Sequence, residues 1–370
     1  MTTDADSFKM KLRCLIDGKG ETHISKKRHR SKFILAAGVI LTIIAATISI
    51  CVGQTCILNP FEAIANLFSA IGKGGSNLNN IEILVFEDRL PRTLMTIGVG
   101  IGLSIAGTTY QALIRNPLVD PYIMGVSSGA GTFAVAVIGF NFTFFGLISI
   151  HSEYLTAIAA MIGGLLAFGL TMLLAARAGR TTNAYLLSGV IIGLLFGAVQ
   201  TVMLKFMGHK VSNSMAWLFG SFANVTFAQS IIVLIAIAIF TTILMLKAKE
   251  LNLVLLGENE ARQMGLNVKK FNTKMLILSS IMASFCVAFC GIIGFVGLVV
   301  PHLCRMIFGG DHRLVMPASI AFGGCLMIFA DLVARMALNS QELPVGAITT
   351  LIGVPVFLYL LIKRGKIYNG

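Results

Sequence analysis

The sequence predicts an all-α polytopic membrane protein with ten transmembrane helices, and three observations support this fold class. Of its 370 residues, 56% are hydrophobic. Only 12% are charged, against about 25% in soluble domains. Apolar runs of about 20 residues, the length that spans a bilayer, recur along the chain. These features exclude a large soluble domain.

The first 31 residues differ from the rest, because they are polar, carry mixed charge and end in a basic run from Lys26 to Lys32. We expect 1–31 to form a flexible cytoplasmic tail. A cleaved signal peptide is disfavoured, because a polar stretch of about 30 residues precedes the first apolar run and no small-residue cleavage site is obvious after that run. The first apolar run should therefore stay in the membrane, and 32–366 form the predicted transmembrane domain.

Eight apolar segments are predicted as single crossings. They are 33–52, 93–114, 122–139, 154–176, 184–204, 227–246, 314–338 and 346–362. The stretch 275–309 is long for one crossing and short for two, and its Gly291, Gly294 and Gly297 could form a tight reversal. Basic residues flank both of its ends, which is typical of cytoplasmic loops. An even number of crossings therefore fits this stretch and gives ten in total.

The distribution of charge predicts the orientation. With both termini in the cytoplasm, the predicted cytoplasmic flanks hold 19 of the 29 Lys and Arg residues, and the outer loops hold six. This bias follows the positive-inside rule. It accounts for the formal net charge of +13 without a nucleic-acid partner, because the charges lie between apolar runs. We expect a multi-pass protein of the cytoplasmic membrane.

Several chemistries have no motif in this chain. It has no GxxxxGK[ST] loop for nucleotide phosphates, so any ATP is expected to be hydrolysed by another chain. The histidines and cysteines show no metal-ligand spacing, and we predict no metal site and no cofactor bound by this chain. Ionisable residues within the predicted spans are limited to Asp331 and Arg335, one turn apart, for which a local ion pair is the simpler role.

Small residues and prolines mark close packing and helix breaks. Two stripes repeat a small residue at every fourth position, namely Gly98, Gly102, Ala106 and Gly189, Gly193, Gly197. Such spacing lets helices approach closely in lipid, with contact to a substrate as the alternative. Helix breaks are predicted at Asn116, Pro117, Pro301 and His302, where freed backbone groups must be buried in protein.

Four blocks of sequence resemble the FecCD-type permeases of binding-protein-dependent ABC importers for iron chelates, haem and cobalamin. The blocks are RLPRTLMTIGVGIGLSIAGTTYQALIRNPLVDPYIMGVSSGAG from Arg89, LLGENEARQMGLNV from Leu255, GFVGLVVPHLCRMIFGGDHRLVMP from Gly294 and DLVARMALNSQELPVGAITTLIGVPVFLYLL from Asp331. With the hydropathy pattern, the resemblance covers 33–366. The polar tail is longer than such permeases carry, and the family supplies no role for it.

The resemblance implies a type II ABC importer permease. This would be a homodimer in the lipid bilayer, with two cytoplasmic ATPase subunits that use ATP and Mg²⁺ and an extracytoplasmic substrate-binding protein. The chain itself would be no enzyme. The implied cargo is a metal chelate, with ferric siderophore favoured on frequency and cobalamin or haem as alternatives. An ion-coupled secondary transporter is a remote alternative, and so is an intramembrane enzyme.

The resemblance also implies a cytoplasmic coupling segment at 250–268. Glu258 to Met264 is predicted as a short helix with acidic residues in its first turn and Gly265 at its C-terminal end. In the family this segment docks into the ATPase, and a merely solvated loop is the alternative. The implied coupling residues are Leu256, Gly257, Glu258, Ala261, Arg262 and Gly265.

Three outer arginines match family positions that receive glutamates of the binding protein. They are Arg89, Arg92 and Arg335. Charge pairing at such a rim mainly sets orientation and encounter rate. The alternatives are lipid headgroups or pairing within the chain with Glu87, Asp88 and Asp331.

Thr181, Thr182 and Asn183 resemble the family's cytoplasmic gate, between the fourth and fifth predicted helices. A polar loop required by topology alone is the alternative. The resemblance further implies a central cavity lined by the second, fifth and eighth helices.

Overall fold

The computed structural model describes residues 19–74, 77–140, 152–338 and 341–368. Within these ranges the chain is helical and has no strand, apart from one isolated bridge between Val52 and Ile57. The helices are α1 Lys19–Cys51, α2 Pro60–Gly72, α3 Asn80–Leu113, α4 Val126–Phe140, α5 Ser152–Arg177, α6 Thr182–Phe206, α7 Val211–Leu218, α8 Phe227–Leu246, α9 Ala248–Leu256, α10 Glu258–Gln263, α11 Val268–Cys290, α12 Val296–Phe308, α13 His312–Met336 and α14 Val345–Tyr368. A π-helical stretch lies within α3 at Leu84–Arg89, and 3₁₀ turns lie at Pro121–Met124 and Gly208–Lys210.

Seven helices in the described ranges are candidate membrane crossings by length and composition, namely α1, α3, α5, α6, α8, α11 and α13. Three further apolar helices are shorter, namely α4, α12 and the part Val345–Tyr359 of α14. Together they are consistent with about ten crossings. The ambiguous stretch 275–309 divides into α11 and α12, as predicted. The all-helical membrane fold expected from the sequence is therefore confirmed.

Two helices begin earlier than predicted. The described part of α1 extends back to Lys19, since the basic run before the apolar segment contains no proline and its Lys and Arg residues favour a helix. The helix α3 starts at Asn80, where the Glu82 carboxylate accepts a hydrogen bond from the Asn79 backbone N–H at 2.7 Å. The predicted flexible tail is thus helical from Lys19 onward, and 1–18 lie outside the described residues.

The helix α3 lies at the centre of the bundle, with α8, α11, α12 and α13 packed around it. Glycines allow this close packing. A Cβ atom added at Gly107 would lie 1.8 Å from the Gly297 carbonyl oxygen, and one at Gly100 would lie 2.4 Å from the Gly323 carbonyl oxygen. The backbones of α3, α12 and α13 therefore touch directly, as small residues permit in lipid.

The two predicted small-residue stripes pack to different extents. A Cβ added at Gly102 would lie 2.6 Å from Cys286 Sγ, and one at Gly189 would lie 2.0 Å from the Ile123 carbonyl oxygen. A Cβ added at Gly197 would meet no atom within 4 Å. The stripe in α3 is therefore a packing surface, whereas the stripe in α6 is covered only near its start.

The helix break expected at Pro301 lies elsewhere. The chain reverses between α11 and α12, where Gly291 and Phe295 have positive φ angles of 73° and 68°, and Pro301 is the sixth residue of α12. Because proline has no N–H, the Gly297 carbonyl loses its helical donor. Gln111 Nε2 of α3 donates to this oxygen at 3.2 Å. The freed group is thus satisfied within the protein, as predicted, although the break itself was misplaced.

We expect Gly107→Ala to lower the free energy of unfolding by about 1–3 kcal/mol, because its methyl group would push α3 away from α12. The matched control is Gly197→Ala, which has free space and should not destabilise the protein. Thermal unfolding of the purified chain in detergent measures both. Equal unfolding temperatures for the two variants would contradict direct backbone contact at Gly107.

Candidate coupling segment, gate and outer arginine cluster

The predicted coupling segment contains a short helix entered through a sharp turn. The helix α9 ends at Leu256, Gly257 turns the chain with a φ angle of 145°, and α10 follows. Gly265 has a φ angle of 85°, the left-handed geometry that ends many helices. The predicted short helix is therefore present, between the crossings α8 and α11.

This segment has a buried side and an exposed side. Ala261 is fully buried, whereas Leu256 and Met264 are 64% and 62% exposed. Arg262 donates a hydrogen bond to Glu258 over 3.5 Å, and both side chains are more than half exposed. Exposed apolar side chains close together are typical of surfaces that bind another protein.

Two of the three predicted gate residues hold the start of α6. The Thr181 side chain accepts a hydrogen bond from the Ala184 backbone N–H at 3.1 Å and so caps the helix. The Thr182 hydroxyl donates to the Ile114 carbonyl oxygen at 3.0 Å, which ties this loop to the end of α3. Asn183 is exposed. These contacts explain the polar residues, and the gate remains a prediction.

A polar pocket of about 430 Å³ joins the predicted gate to the coupling segment. Thr181 and Thr182 line one side of it, and Glu258 and Arg262 line the other. The structure therefore brings together two groups of residues that the sequence predicted separately. A displacement of α10 would change the shape of this pocket and the surroundings of the gate loop.

The outer arginine cluster, which we define as Arg89, Arg92 and Arg335, is buried. Arg92 donates to Asp331 and to Glu342, each at 2.8 Å. Arg335 Nε also lies 3.1 Å from the same Asp331 carboxylate, which is fully buried. One carboxylate of α13 therefore faces two guanidinium groups and joins α3 to α13.

Arg89 binds backbone carbonyls instead of carboxylates. Its guanidinium donates to the carbonyl oxygens of Cys51 at 2.8 Å and Cys56 at 2.7 Å. Arg335 donates to Ser49 Oγ at 2.8 Å. Through these contacts the cluster holds the C-terminal end of α1 against α3 and α13.

These contacts favour the intrachain alternative for the cluster. Among the three acidic partners considered, Asp331 pairs with the arginines, whereas Glu87 and Asp88 are exposed and form no ion pair with described residues. The expectation of arginines exposed on a rim is corrected, because their exposed fractions are 1–5%. Docking of a binding protein on them remains a prediction. The sequence analysis missed Glu342, which lies 250 residues from Arg92 along the chain.

Asp120 is a further acidic residue that the sequence analysis missed. It follows Asn116 and Pro117 in the loop after α3, and its carboxylate accepts the Tyr122 backbone N–H at 2.9 Å. Burial raises the pKa of this carboxyl to about 6. An aspartate directly before a proline is a helix-start signal, and Asp120–Pro121 carries it.

The implied lining of a central cavity by the second, fifth and eighth helices remains a prediction. In the most apolar part of α3, 78% of the residues are buried within the same chain, and α12 packs against α3 and α13. In the most apolar part of α6 only 22% of the residues are buried, so this helix offers a free face. Among the described residues, no group of three His, Cys, Asp or Glu side chains could hold a metal ion.

Residues 41–363 match the FecCD transport family. The vitamin B12 import system permease protein BtuC of Vibrio cholerae is 35% identical over 343 residues, which cover 92% of this chain and 96% of that protein. The cobalamin import system permease protein BtuC of Halobacterium salinarum is 38% identical over 284 residues, which cover 76% of this chain and 74% of that protein.

A solved structure also resembles this chain over nearly its whole length. It is presented as an inward-facing conformation of a metal-chelate type ABC transporter. The TM-score is 0.76 at 28% identity, and the match covers 90% of this chain and 99% of the other. The resemblance therefore extends from the sequence blocks to the arrangement of the helices.

We expect Asp331→Ala to cost about 3–5 kcal/mol of unfolding free energy, because the buried Arg335 loses its carboxylate and the buried Arg92 keeps only the partly exposed Glu342. Glu342→Ala is the matched control. Its side chain is 29% exposed, so its loss should cost about 1 kcal/mol or less. Chemical unfolding in detergent measures both variants. If Asp331→Ala were as stable as the parent, the cluster would have no structural role.

Proposed function

We propose that this chain, which belongs to the FecCD transport family of ABC importer permeases, carries a bulky metal chelate inward across the cytoplasmic membrane. Two ATPase subunits on separate chains supply the energy by hydrolysing ATP with Mg²⁺. The chain binds no nucleotide and performs no covalent chemistry.

The observation that carries this proposal is the short helix α10 between two membrane crossings. It lies outside the candidate spans, is flanked by the exposed Leu256 and Met264, and contains the buried Ala261. Such a segment is required where force must pass from a separate ATPase into a helix bundle. A transporter driven by an ion gradient has no use for it.

The mechanism follows from the position of α10. When the ATPase subunits close on nucleotide, they move α10, and the buried Ala261 passes the motion to the bundle. The pocket between Arg262 and Thr181 then changes shape, and the loop before α6 shifts relative to the end of α3. Rigid-body motion of this kind exchanges an inner opening for an outer one.

The assembly is proposed as a homodimer with both termini in the cytoplasm. The free face of α6, including Gly197, supports the dimer, because it is apolar and uncovered by the same chain. An extracytoplasmic binding protein delivers the chelate to the opposite side of the membrane. Since the outer arginine cluster is buried, its contribution to delivery is to hold α1, α3 and α13 in place.

Cobalamin is the proposed substrate, because related permeases named for vitamin B12 or cobalamin import come from both a bacterium and an archaeon. Ferric siderophore, the cargo favoured on frequency, is the second candidate. It is supported by the metal-chelate type of the similar structure. Haem belongs to the same class of bulky chelates.

We expect Leu256→Asp to lower ATP-dependent uptake at least about tenfold, because a charge at an interface anchor disrupts packing against the ATPase. The assay is uptake into liposomes that contain the chain, its ATPase and its binding protein. Arg177→Gln is the control, since this cation at the end of α5 is exposed and does not line the pocket beside α10. Unchanged uptake with Leu256→Asp would contradict the coupling role.

The substrate is tested in the same liposomes with labelled cyanocobalamin and labelled ferric siderophore. We expect uptake of cyanocobalamin that requires ATP and the binding protein and that is blocked by excess unlabelled cobalamin. Uptake of the siderophore alone would replace cobalamin as the substrate. Accumulation without any ATPase would overturn the proposed mechanism as a whole.

A further inference from the structure

Four cationic side chains line the 430 Å³ pocket between the predicted gate and α10. They are Arg115, Arg180, Arg262 and Lys269. Among the described residues that line the pocket, Glu258 is the only one with a carboxylate, and it already pairs with Arg262 over 3.5 Å. The other three cations have no ion-pair partner among the described residues. The pocket therefore carries excess positive charge.

The two long helices that border the pocket add to this charge. The helix α6 starts at Thr182 and α11 starts at Val268, and both residues line the pocket. The N-terminal end of a helix carries a partial positive charge, and its free N–H groups favour an anion. The two helix ends thus add to the positive potential that the cationic side chains create in the pocket.

Neutral polar groups complete the wall. Tyr185, Asn272 and Thr273 lie between the cations, and the side-chain oxygen of Asn272 is buried without a hydrogen-bond partner among the described residues. A buried amide group without a partner costs free energy unless a ligand or water satisfies it. The pocket therefore offers directional contacts in addition to charge.

We propose that this pocket binds a small, multiply charged phosphate anion that bridges the predicted gate to the coupling segment. Guanidinium groups match phosphate oxygens in pairs, which makes three arginines around one small space suited to this ligand. The exposed Leu256 and Met264, which flank α10, do not line the pocket, so a docked ATPase and a bound anion use different residues of this segment.

The bound anion favours one arrangement of the cytoplasmic side. Arg115 and Arg180 belong to the loops beside α6, whereas Arg262 and Lys269 belong to α10 and the start of α11. An anion held by both groups stabilises the arrangement in which they face each other. A soluble phosphate and a lipid headgroup share this chemistry, and the experiment separates the two sources.

The test measures binding of inorganic pyrophosphate to the purified full chain in phosphatidylcholine nanodiscs by calorimetry at constant ionic strength. We expect one pyrophosphate per chain. Arg180→Gln and Lys269→Gln should each weaken binding at least about tenfold, since each removes a charged hydrogen bond. The matched controls are Arg177→Gln and Lys270→Gln, which neutralise exposed cations nearby that do not line the pocket.

A second arm uses nanodiscs that contain phosphatidylglycerol and counts the lipid phosphorus retained per chain after exchange into detergent. Retention that falls with Lys269→Gln but not with Lys270→Gln identifies a headgroup as the occupant, and unchanged retention identifies a soluble anion. No pyrophosphate binding and no selective lipid retention would overturn the proposal. Equal loss in the controls would also overturn it, because a diffuse basic surface would then suffice.

Discussion

A bilayer offers no hydrogen-bond partners, so every break in a helix must be satisfied from within the chain. This constraint explains the polar side chains inside an otherwise apolar bundle. Gln111 donates a hydrogen bond to the Gly297 carbonyl, which has no helical donor because of Pro301. Thr171 donates to the Met124 carbonyl before α4 at 3.0 Å. Irregular segments are stable inside this fold because neighbouring helices supply hydrogen-bond donors for their backbone carbonyls.

Close contact between backbones is the second condition for this arrangement. Gln111 reaches the carbonyl in α12 because Gly107, one turn away on α3, has no side chain between the two helices. The packing of α3 against α12 and the hydrogen bond to the Gly297 carbonyl thus depend on the same short stretch of α3. The predicted coupling segment differs, because its short helix lies outside the candidate spans and the flanking Leu256 and Met264 are exposed.

The sequence predicted the elements better than their contacts. Apolar length and basic flanks located the crossings and divided 275–309, and Gly265 marked the end of α10. The pairing of Arg92 with Asp331 and Glu342 spans more than 200 residues, and spacing along a chain does not encode such distances. The same limit applies to the polar pocket, whose walls come from four separate stretches of sequence. The sequence offered intrachain pairing of the outer arginine cluster only as an alternative and did not predict its burial, because charge alone does not distinguish a rim from an interior.

The order of synthesis gives the buried cluster a consequence for membrane insertion. Arg92 leaves the ribosome 239 residues before Asp331, so α3 enters the bilayer while this carboxylate partner does not yet exist. Until α13 arrives, the Arg92 side chain must be held near the headgroups, where a long basic side chain can reach water. Arg89 differs, because it binds carbonyls of residues that are made before it. The late helix α13 therefore fixes the early helix α3 in place, and a chain truncated before α13 would leave Arg92 without this carboxylate at the edge of the membrane.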